Sequence, residues 1–409
     1  MQHTSAAISV CIILSITLFH CLVVAGEQRD EDILVQDNST FAIDLYHQLH
    51  ATEGNIFFSP YSVSTALAMT YAGARGNTEK EIEQTLKFSL KQKKLHSAFA
   101  GIESKLNKLQ KADNIKLSVA NSLWPQQDYK FLDEYLFLIR RHYGVSITPV
   151  DYKCAREAAR KMINTWVQNK TQDKIKNLIR PGILTALTRL VLVNAIYFKG
   201  NWEHQFKKEQ TTDIPFYVSL SNSVQAPIMT QKQKFKYAEI EAVQVLELPY
   251  AGGDLSMIVL LPRKSDGLRW LERNLTADNL KRWKRQMCKR EVLIFVPKFK
   301  MTSLFRLDKT LVTMGMVDAF SGSKANFAGM DGRPNWLYIG AVLHKAFVDV
   351  NEEGTEAAAA TAVTMVAAAL PTPPPIFRAD HPFLFLIQDN QTGSLLFMGR
   401  VIDPTKTGE

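Results

Sequence analysis

The chain has 409 residues, of which 46% are hydrophobic and 22% are charged, and it carries a formal net charge of +9 at pH 7. This composition excludes disordered and fibrous proteins and predicts a globular protein with an ample core. The positive charge favours an acidic partner, but it does not distinguish a polyanionic sugar from nucleic acid or a membrane surface.

The first 25 residues have the pattern of a secretory signal peptide. The apolar run "AAISVCIILSITLFHCLVVA" ends in small residues before the charged "GEQRDED", which suits cleavage after Ala25 or Gly26. An uncleaved membrane anchor is the alternative, because the run is long enough to span a bilayer and no Lys or Arg precedes it. We expect a secreted, extracellular protein in which residues 26–409 form a single domain that leaves the membrane after cleavage.

Export would also affect the cysteines and the candidate glycosylation sites. Outside the leader the cysteines are Cys154 and Cys288, and their separation leaves both one disulfide and two free thiols open. Export would make Asn-x-Ser/Thr triplets candidate glycosylation sites. These candidate sites are Asn38, Asn169, Asn274 and Asn390.

The first helical pattern follows the leader. Phe41, Leu45 and Leu49 recur at every fourth position, which predicts an amphipathic helix. Asn38 or Ser39 would cap its N-terminus.

Two further helices are predicted downstream. In "SPYSVSTALAMTYAGARG", Ser59 is placed to cap a helix with Pro60 in its first turn, and apolar residues on most of the circumference predict burial nearly all round. Thr78 and Glu81 then form a capping box, which predicts a helix over "EKEIEQTLKF".

Strand patterns dominate later in the chain. The continuous apolar run "LVLVNAIYFKG" is typical of a strand covered on both faces. "VQVLELPY" and "LSMIVLLP" flank a glycine-containing turn and predict a hairpin, and "VLIFVPKFKM", "PFLFLI" and "SLLFMGRV" predict further strands. Helices early and strands late indicate an α+β fold.

Recognised catalytic signatures do not occur. The sequence lacks H-E-x-x-H, C-x-x-C, G-x-S-x-G and a phosphate-binding glycine loop. We therefore expect a protein that is not an enzyme, with no cofactor and no metal site.

An alanine-rich stretch near the C-terminus, "NEEGTEAAAATAVTMVAAALPTPPPIF", is the most unusual part of the sequence. Alanine favours a helix, and Thr355 could cap it. Read as a strand instead, the stretch carries its single charge, Glu356, on one face and only small or apolar uncharged residues on the other. Such a strand could enter a sheet at little steric or desolvation cost, pivoting at Gly354.

This stretch and several long motifs resemble the serpins, a family of serine protease inhibitors, over essentially all of residues 35–405. The motifs are "NIFFSPYSVSTALAMTYAGARGNT", "LVNAIYFKGNWEHQF", "LELPYAGGDLSMIVLLP", "VPKFKM", "LHKAFVDVNEEGTEAAAATA" and "FRADHPFLFLIQDNQTGSLLFMGRVIDP". The resemblance implies three β-sheets, eight or nine helices and an exposed reactive loop at about residues 352–376. It also implies a suicide mechanism, in which a protease cleaves the loop, forms an acyl-enzyme and is trapped when the loop inserts into the main sheet.

Carried over residue by residue, the resemblance assigns roles within the loop. The hinge of inhibitory members matches Glu352 and the residues Glu353, Gly354, Thr355, Glu356, Ala357, Ala358, Ala359 and Ala360. Counting Gly354 as the fifteenth residue before the scissile bond makes Ala368 the specificity residue and Ala369 its neighbour. Counting back from the "HPF" motif places the scissile bond nearer Pro371. The scissile bond is therefore assigned only to the range from Val366 to Leu370. An alanine at the specificity position predicts an elastase-like target.

Other matched positions concern sheet opening. The resemblance implies that Ser59, Ser62, Asn194 and His344 form a shutter beneath the opening sheet and that Trp202 lies at the breach at its top.

Basic residues suggest a second kind of partner, heparin or another glycosaminoglycan. Lys105, Lys108 and Lys111 lie at helical spacing on a segment that resembles the glycosaminoglycan-binding helix of some serpins. A denser cluster contains Lys281, Arg282, Lys284, Arg285, Lys289 and Arg290. We expect a monomer that binds a serine protease covalently and does not bind nucleic acid. A non-inhibitory carrier or chaperone is the alternative function.

Overall fold

Helices form most of the N-terminal part of the chain. The computed structural model describes residues 2–109, 115–145, 147–353 and 373–408, with side chains from residue 26 onward. These residues contain ten α-helices, one more than the upper estimate from the sequence. They are α1 Gln2–Leu49, α2 Pro60–Tyr71, α3 Gly76–Thr85, α4 Gln92–Leu109, α5 Asp133–Tyr143, α6 Arg156–Lys170, α7 Leu268–Asn274, α8 Ala277–Arg285, α9 Asp308–Thr313 and α10 Ala328–Asp331.

Helix α2 matches its prediction closely. The Ser59 hydroxyl accepts a hydrogen bond from the Ser62 amide at 3.1 Å, Pro60 occupies the first turn, and every residue of α2 is buried. In the part of the chain with described side chains, no helix has both the length and the apolar character for spanning a bilayer.

Two predicted helix N-termini are wrong. Helix α1 runs through Asn38 and Ser39, and the Ser39 hydroxyl donates to the carbonyl of Val35 within the helix. Helix α3 begins at Gly76, before the expected capping box. Thr78 instead accepts from the Asn326 amide, and Glu81 accepts from the amides of residues 317 and 318. Both side chains therefore tie α3 to a distant segment.

Thirteen strands form two hydrogen-bonded sheets among the described residues. The strands are β1 Ile56–Phe58, β2 Ile115–Pro125, β3 Leu190–Gly200, β4 Thr212–Ser219, β5 Asn222–Ile240, β6 Val243–Pro249, β7 Leu255–Pro262, β8 Cys288–Pro297, β9 Phe299–Arg306, β10 Ala341–Val350, β11 Ile376–Arg378, β12 Phe383–Asp389 and β13 Leu395–Val401. One sheet has the order β2-β3-β10-β9. The other has the order β1-β13-β12-β7-β6-β5-β8-β11, and β4 pairs with β5.

The expected third sheet is not separate, because β5 is 19 residues long. The N-terminal part of β5 pairs with β4, its middle pairs with β8, and its C-terminal part pairs with β6. One strand thus joins two groups of strands into a nine-stranded sheet. The segment predicted as one strand, "VLIFVPKFKM", is divided between β8 and β9 at Lys298, so it links the two sheets.

The four-stranded sheet is packed on both faces. On one side, Ile163 and Val167 of α6 pack with strand residues such as Val191 and Val193. On the other side, Leu192 and the buried helix α2 belong to the main core. This explains why β3 is a continuous apolar run, as predicted.

Candidate functional site

The centre of the four-stranded sheet is a parallel pair of strands. β3 and β10 run in the same direction in a register from Ala341↔Val191 to Val348↔Phe198. Both outer ladders, β2 with β3 and β10 with β9, are antiparallel. Because β3 and β10 end at the same edge, the chain that leaves β10 starts beside the end of β3.

A row of polar residues crosses the middle of this sheet. Asn121 of β2 is paired in register with Asn194 of β3, which is paired with His344 of β10. His344 Nδ1 bonds Asn194 Oδ1, and Asn194 Nδ2 donates to Asn121 Oδ1. Asn194 and His344 are at most 1% exposed, so these hydrogen bonds satisfy groups that burial would otherwise penalise.

Helix α2 supplies the rest of this polar cluster. The Ser59 amide donates to His344 Nε2 at 2.9 Å, and the Ser59 hydroxyl donates to the carbonyl of Leu396 at 2.6 Å. The Ser62 hydroxyl lies 2.9 Å from Asn121 Oδ1 and 2.5 Å from Asn194 Nδ2. The structure therefore brings together Ser59, Ser62, Asn194 and His344, the four residues predicted as the shutter.

Burial fixes the protonation state of His344. It lowers the pKa of His344 to about 3, so the imidazole is neutral at physiological pH. A neutral ring is also what the geometry requires, since Nε2 accepts the Ser59 N–H and Nδ1 must then carry the proton that Asn194 accepts. The cluster holds the parallel pair and α2 together without a charged group.

Trp202 lies where the parallel pair ends. Its indole Nε1 donates to the carbonyl of Asn351 at 2.8 Å, and its ring stacks on Tyr250 with centroids 4.6 Å apart. At Gly200, a Cβ would meet the Tyr250 ring at 2.7 Å, so only glycine allows this close packing. Trp202 thus anchors the first residue after β10, the position expected of the breach.

Lysine side chains form ion pairs with Glu352 and Glu353, the two acidic residues that follow Asn351. Glu352 is 5% exposed, and its carboxylate lies 2.8 Å from Lys298 Nζ. Glu353 lies 2.7 Å from Lys208 Nζ and 3.8 Å from Lys199 Nζ. Four side chains, Trp202, Lys298, Lys208 and Lys199, therefore hold Asn351, Glu352 and Glu353, where the connection to β11 begins.

The pKa values of both glutamates reflect these contacts. Burial raises the pKa of Glu352, but the hydrogen bond from Lys298, further hydrogen bonds from the backbone and Thr211, and the charge of Lys298 together hold the pKa below its usual value. The hydrogen bond from Lys208 lowers the pKa of Glu353, assisted by the charge of Lys199. Both carboxylates are therefore charged at neutral pH, as their ion pairs require.

The remaining predicted loop residues lie outside the described residues. These are the hinge residues from Gly354 to Ala360 and the proposed reactive bond at Ala368 and Ala369. The structure places the two attachment points of the loop, at Glu353 and at β11.

Sequence reasoning missed Asn121, Lys298 and Lys208. Asn121 lies in an ordinary strand pattern, and only the register beside Asn194 shows its role. Lys298 separates two strands, and Lys208 belongs to the short 3-10 helix Lys208–Gln210. Only their distances to Glu352 and Glu353 mark them as loop anchors.

The basic residues of the two predicted clusters differ in exposure and in ion pairing. Lys105 is paired with Glu31 at 2.5 Å, Lys108 is exposed, and Lys111 lies outside the described residues. In α8, Lys281, Arg282 and Arg285 are exposed, but Lys284 turns inward to Gln388, and burial lowers its pKa. Lys284 therefore does not belong to a free basic face.

The sequons and cysteines also differ in accessibility. Asn38 is 2% exposed and accepts a hydrogen bond from Ser64 at 2.6 Å, so a glycan at Asn38 does not fit the folded chain and that candidate site is wrong. Asn169 and Asn390 are exposed, and Asn274 is half-buried. Cys154 and Cys288 are free and exposed, so no disulfide joins them.

The fold and this site together define an α+β protein in which the chain leaves the end of β10, one of two parallel central strands, through the anchored residues 351–353. A family model described as Serpin (serine protease inhibitor) matches residues 36–404. The chain belongs to the serpin family, whose members the model describes as inhibitors of serine proteases.

Individual relatives cover nearly the same length. Leukocyte elastase inhibitor A of Rattus norvegicus is 43% identical over 377 residues, which cover 90% of this chain and 98% of the relative. Leukocyte elastase inhibitor of Homo sapiens is 42% identical with the same coverage. The crystal structure of uncleaved ovalbumin is 33% identical, has a TM-score of 0.82, and is matched over 91% of this chain and 100% of its own.

Proposed function

We propose that this serpin is a suicide inhibitor of elastase-like serine proteases. A protease would cleave the loop, and the cut loop would then insert between β3 and β10 while the acyl-enzyme is still attached. The observation that carries the proposal is the parallel β3–β10 pair with the loop leaving directly from the end of β10.

The direction of the strands supports insertion. A segment that turned back after Glu353 would run antiparallel to both β3 and β10. It would replace one parallel ladder of eight register pairs by two antiparallel ladders. Antiparallel pairing is slightly more stable per residue than parallel pairing.

The energy is sufficient to deform a protease. Exchanging one ladder for two adds of the order of ten backbone hydrogen bonds, each worth about 1 kcal/mol net. Buried methyl groups of the alanine-rich strand add about 0.8 kcal/mol for each CH₂ equivalent. The sum compares with the 5–15 kcal/mol that stabilises a typical protein, roughly the stability of the trapped enzyme.

The expected target follows from the residue at the cleavage position. Ala368, or another small residue in its neighbourhood, suits a shallow specificity pocket and not one that requires Lys or Arg. The names of the rat and human relatives, leukocyte elastase inhibitors, support the same choice. A non-inhibitory carrier would form no covalent complex, which separates the two functions.

The test is incubation of the purified protein with an elastase and with trypsin. We expect an adduct with elastase that survives denaturant, and mass spectrometry should locate the cut between Val366 and Leu370. Little adduct should form with trypsin. Cleavage without a stable adduct would make the protein a substrate and refute inhibition, and a cut outside that range would refute the bond assignment.

The site of action is proposed to be extracellular. The leader pattern of residues 1–25 supports secretion, and Asn169 is an exposed sequon that could accept a glycan. Asn390 is less suitable, because its Nδ2 donates to the carbonyl of Gly253 and to the hydroxyl of Ser256, both at 2.8 Å. Expression in a secreting eukaryotic cell should release a protein that begins at residue 26 or 27. Retention of the leader in a membrane fraction would refute this part of the proposal.

A glycosaminoglycan is proposed as a second partner of the monomeric protein. Its support is the exposed basic residues Lys108 on α4 and Lys281, Arg282 and Arg285 on α8. Lys105 contributes less, because Glu31 already neutralises it. Retention on heparin resin that needs well above physiological salt for elution would support the proposal, and elution at low salt would refute it.

A further inference from the structure

The surface beside the C-terminal anchor of the loop carries a row of lysines along β5 that no role above explains. Lys232, Lys234 and Lys236 alternate along β5 and therefore lie on one face of the sheet. On the adjacent strand β8, Lys289 is directly opposite Lys236. We call Lys232, Lys234, Lys236 and Lys289 the β5–β8 basic surface.

Part of this surface is not neutralised. Lys232 is paired with Glu291 at 2.8 Å and Lys236 with Glu247 at 2.9 Å. Within the described part of the chain, Lys234 and Lys289 form no ion pair, and both are exposed. The surface therefore has an excess of positive charge that a partner could meet.

The arrangement also has a cost for the fold. Like charges directly opposite each other on neighbouring strands are destabilising, and Lys236 faces Lys289 in this way. The ion pair with Glu247 accounts for Lys236, but no ion pair in the described part of the chain accounts for Lys289. A binding role would offset the cost, since an acidic partner would relieve the repulsion.

The reactive loop rejoins the fold beside this surface. β11 pairs with β8 in parallel, with Ile376 opposite Leu293, and the Leu293 amide donates to the carbonyl of Pro375 at 3.0 Å. Because the strands are parallel, residues 373–375 run alongside the first half of β8, where Lys289 and Arg290 lie. Lys289 is four residues before Leu293, about 13 Å along the strand.

We propose that the β5–β8 basic surface is a docking site for an acidic surface on the target protease, and this rests on the proposed function. A protease that holds the loop lies over its C-terminal anchor. A standard interface buries about 800 Å² per partner, enough to reach residues roughly 13 Å away. The surface thus lies within reach of a protease that holds the loop, and we take the protease as the partner.

The surface should act mainly on the rate of encounter. Complementary charge at an interface can raise association rates by about 10 to 1,000-fold, and the effect falls steeply with ionic strength. Cleavage and insertion involve other residues, so the yield of covalent adduct should not depend on this surface.

The test compares a variant and a matched control with two proteases of elastase specificity, one anionic and one cationic. The variant is K234E/K289E, with K234Q/K289Q in case reversal opposite Glu291 impairs folding. The control, K309E/K324E, makes the same charge change at exposed lysines between β9 and β10. At low salt, the association rate with the anionic protease should fall about tenfold in the variant and much less in the control, and high salt should remove the difference.

Equal rates for variant and wild type, or an equal fall in the control, would overturn the docking site. A difference that exists only when heparin is present would assign the surface to a polyanion and would also overturn the docking site.

Binding to each protease with its nucleophilic serine replaced by alanine gives an independent measurement. If no adduct forms, the proposed function fails, but about tenfold weaker binding of the inactive anionic protease to the variant would still support the docking site, and equal binding would overturn it.

Discussion

Trp202 donates its indole N–H to the backbone carbonyl of Asn351, with 2.8 Å between the two heavy atoms. Asn351 is the first residue after β10, and the proposed hinge starts at the next residue, Glu352. This hydrogen bond therefore fixes the point at which β10 stops and the loop begins.

Trp202→Phe should remove the hydrogen bond to Asn351 while keeping an aromatic ring stacked on Tyr250. Loss of one buried hydrogen bond should lower the free energy of unfolding by about 1 kcal/mol. It should also speed the loss of inhibitory activity on storage, because the uncut loop can begin to insert. Thermal unfolding and residual inhibition after incubation measure the two effects. Trp336→Phe, at a half-exposed tryptophan, is the control, and an unchanged storage rate in Trp202→Phe would contradict the anchoring role.

Glu352→Gln should destabilise the fold in a pH-dependent way. The pKa of Glu352 is held below 4.5 in the folded protein, so its stabilising contribution is present above pH 4.5 and is lost as pH falls through the lower folded pKa. We expect the wild type to exceed the variant by about 1–3 kcal/mol at pH 7 and by much less near pH 3. Denaturant unfolding at several pH values tests this, with Glu209→Gln as an exposed control. A gap that does not shrink in acid would contradict the role of the ion pair with Lys298.

His344→Gln should change the acid dependence of stability. In the folded protein the pKa of His344 is about 3, whereas its ordinary value is 6.5. Between these values the unfolded chain binds a proton that the folded protein does not, so stability falls as pH falls. The slope attributable to one histidine is up to about 1.4 kcal/mol per pH unit.

The variant should be less stable at pH 7, because Ser59 and Asn194 lose their partner, and its stability should fall less steeply between pH 6 and pH 4. Unfolding free energies at three pH values provide the measurement. His50→Gln, at an exposed position, should keep the wild-type slope. A wild-type slope in His344→Gln would show that the buried ring is not the source.

Thr355→Arg should convert the protein from inhibitor to substrate. A charged side chain at the start of the inserting strand would have to enter the sheet, and desolvating it costs several kcal/mol. Folding should be unaffected. Gel analysis after incubation with elastase should show cleaved serpin and free enzyme instead of adduct. Thr355→Val, which adds no charge, should retain inhibition, and an adduct with Thr355→Arg would contradict insertion.

The elements that the sequence predicts best are those whose residues act locally. The cap at Ser59, the burial of α2, the apolar strand β3 and the hairpin of β6 and β7 all follow from spacing along the chain. The shutter and breach positions came from the resemblance to serpins, and no local pattern would have singled them out.

The failures arise where distant segments compete with local signals. Thr78 and Glu81 have the correct spacing for a capping box, but amides of residues 317, 318 and 326 bind them instead. Lys284 belongs to a basic run in sequence, yet its position on α8 turns it towards Gln388. Asn121 becomes part of the polar cluster only through the register of β2 with β3.

The most direct test of loop insertion compares the melting temperature of the intact protein with that of protein nicked in the loop by a protease that is not trapped. Insertion worth roughly 10 kcal/mol should raise the melting temperature by more than about 10 °C. A nicked protein that melts at or below the temperature of the intact one would contradict insertion between β3 and β10.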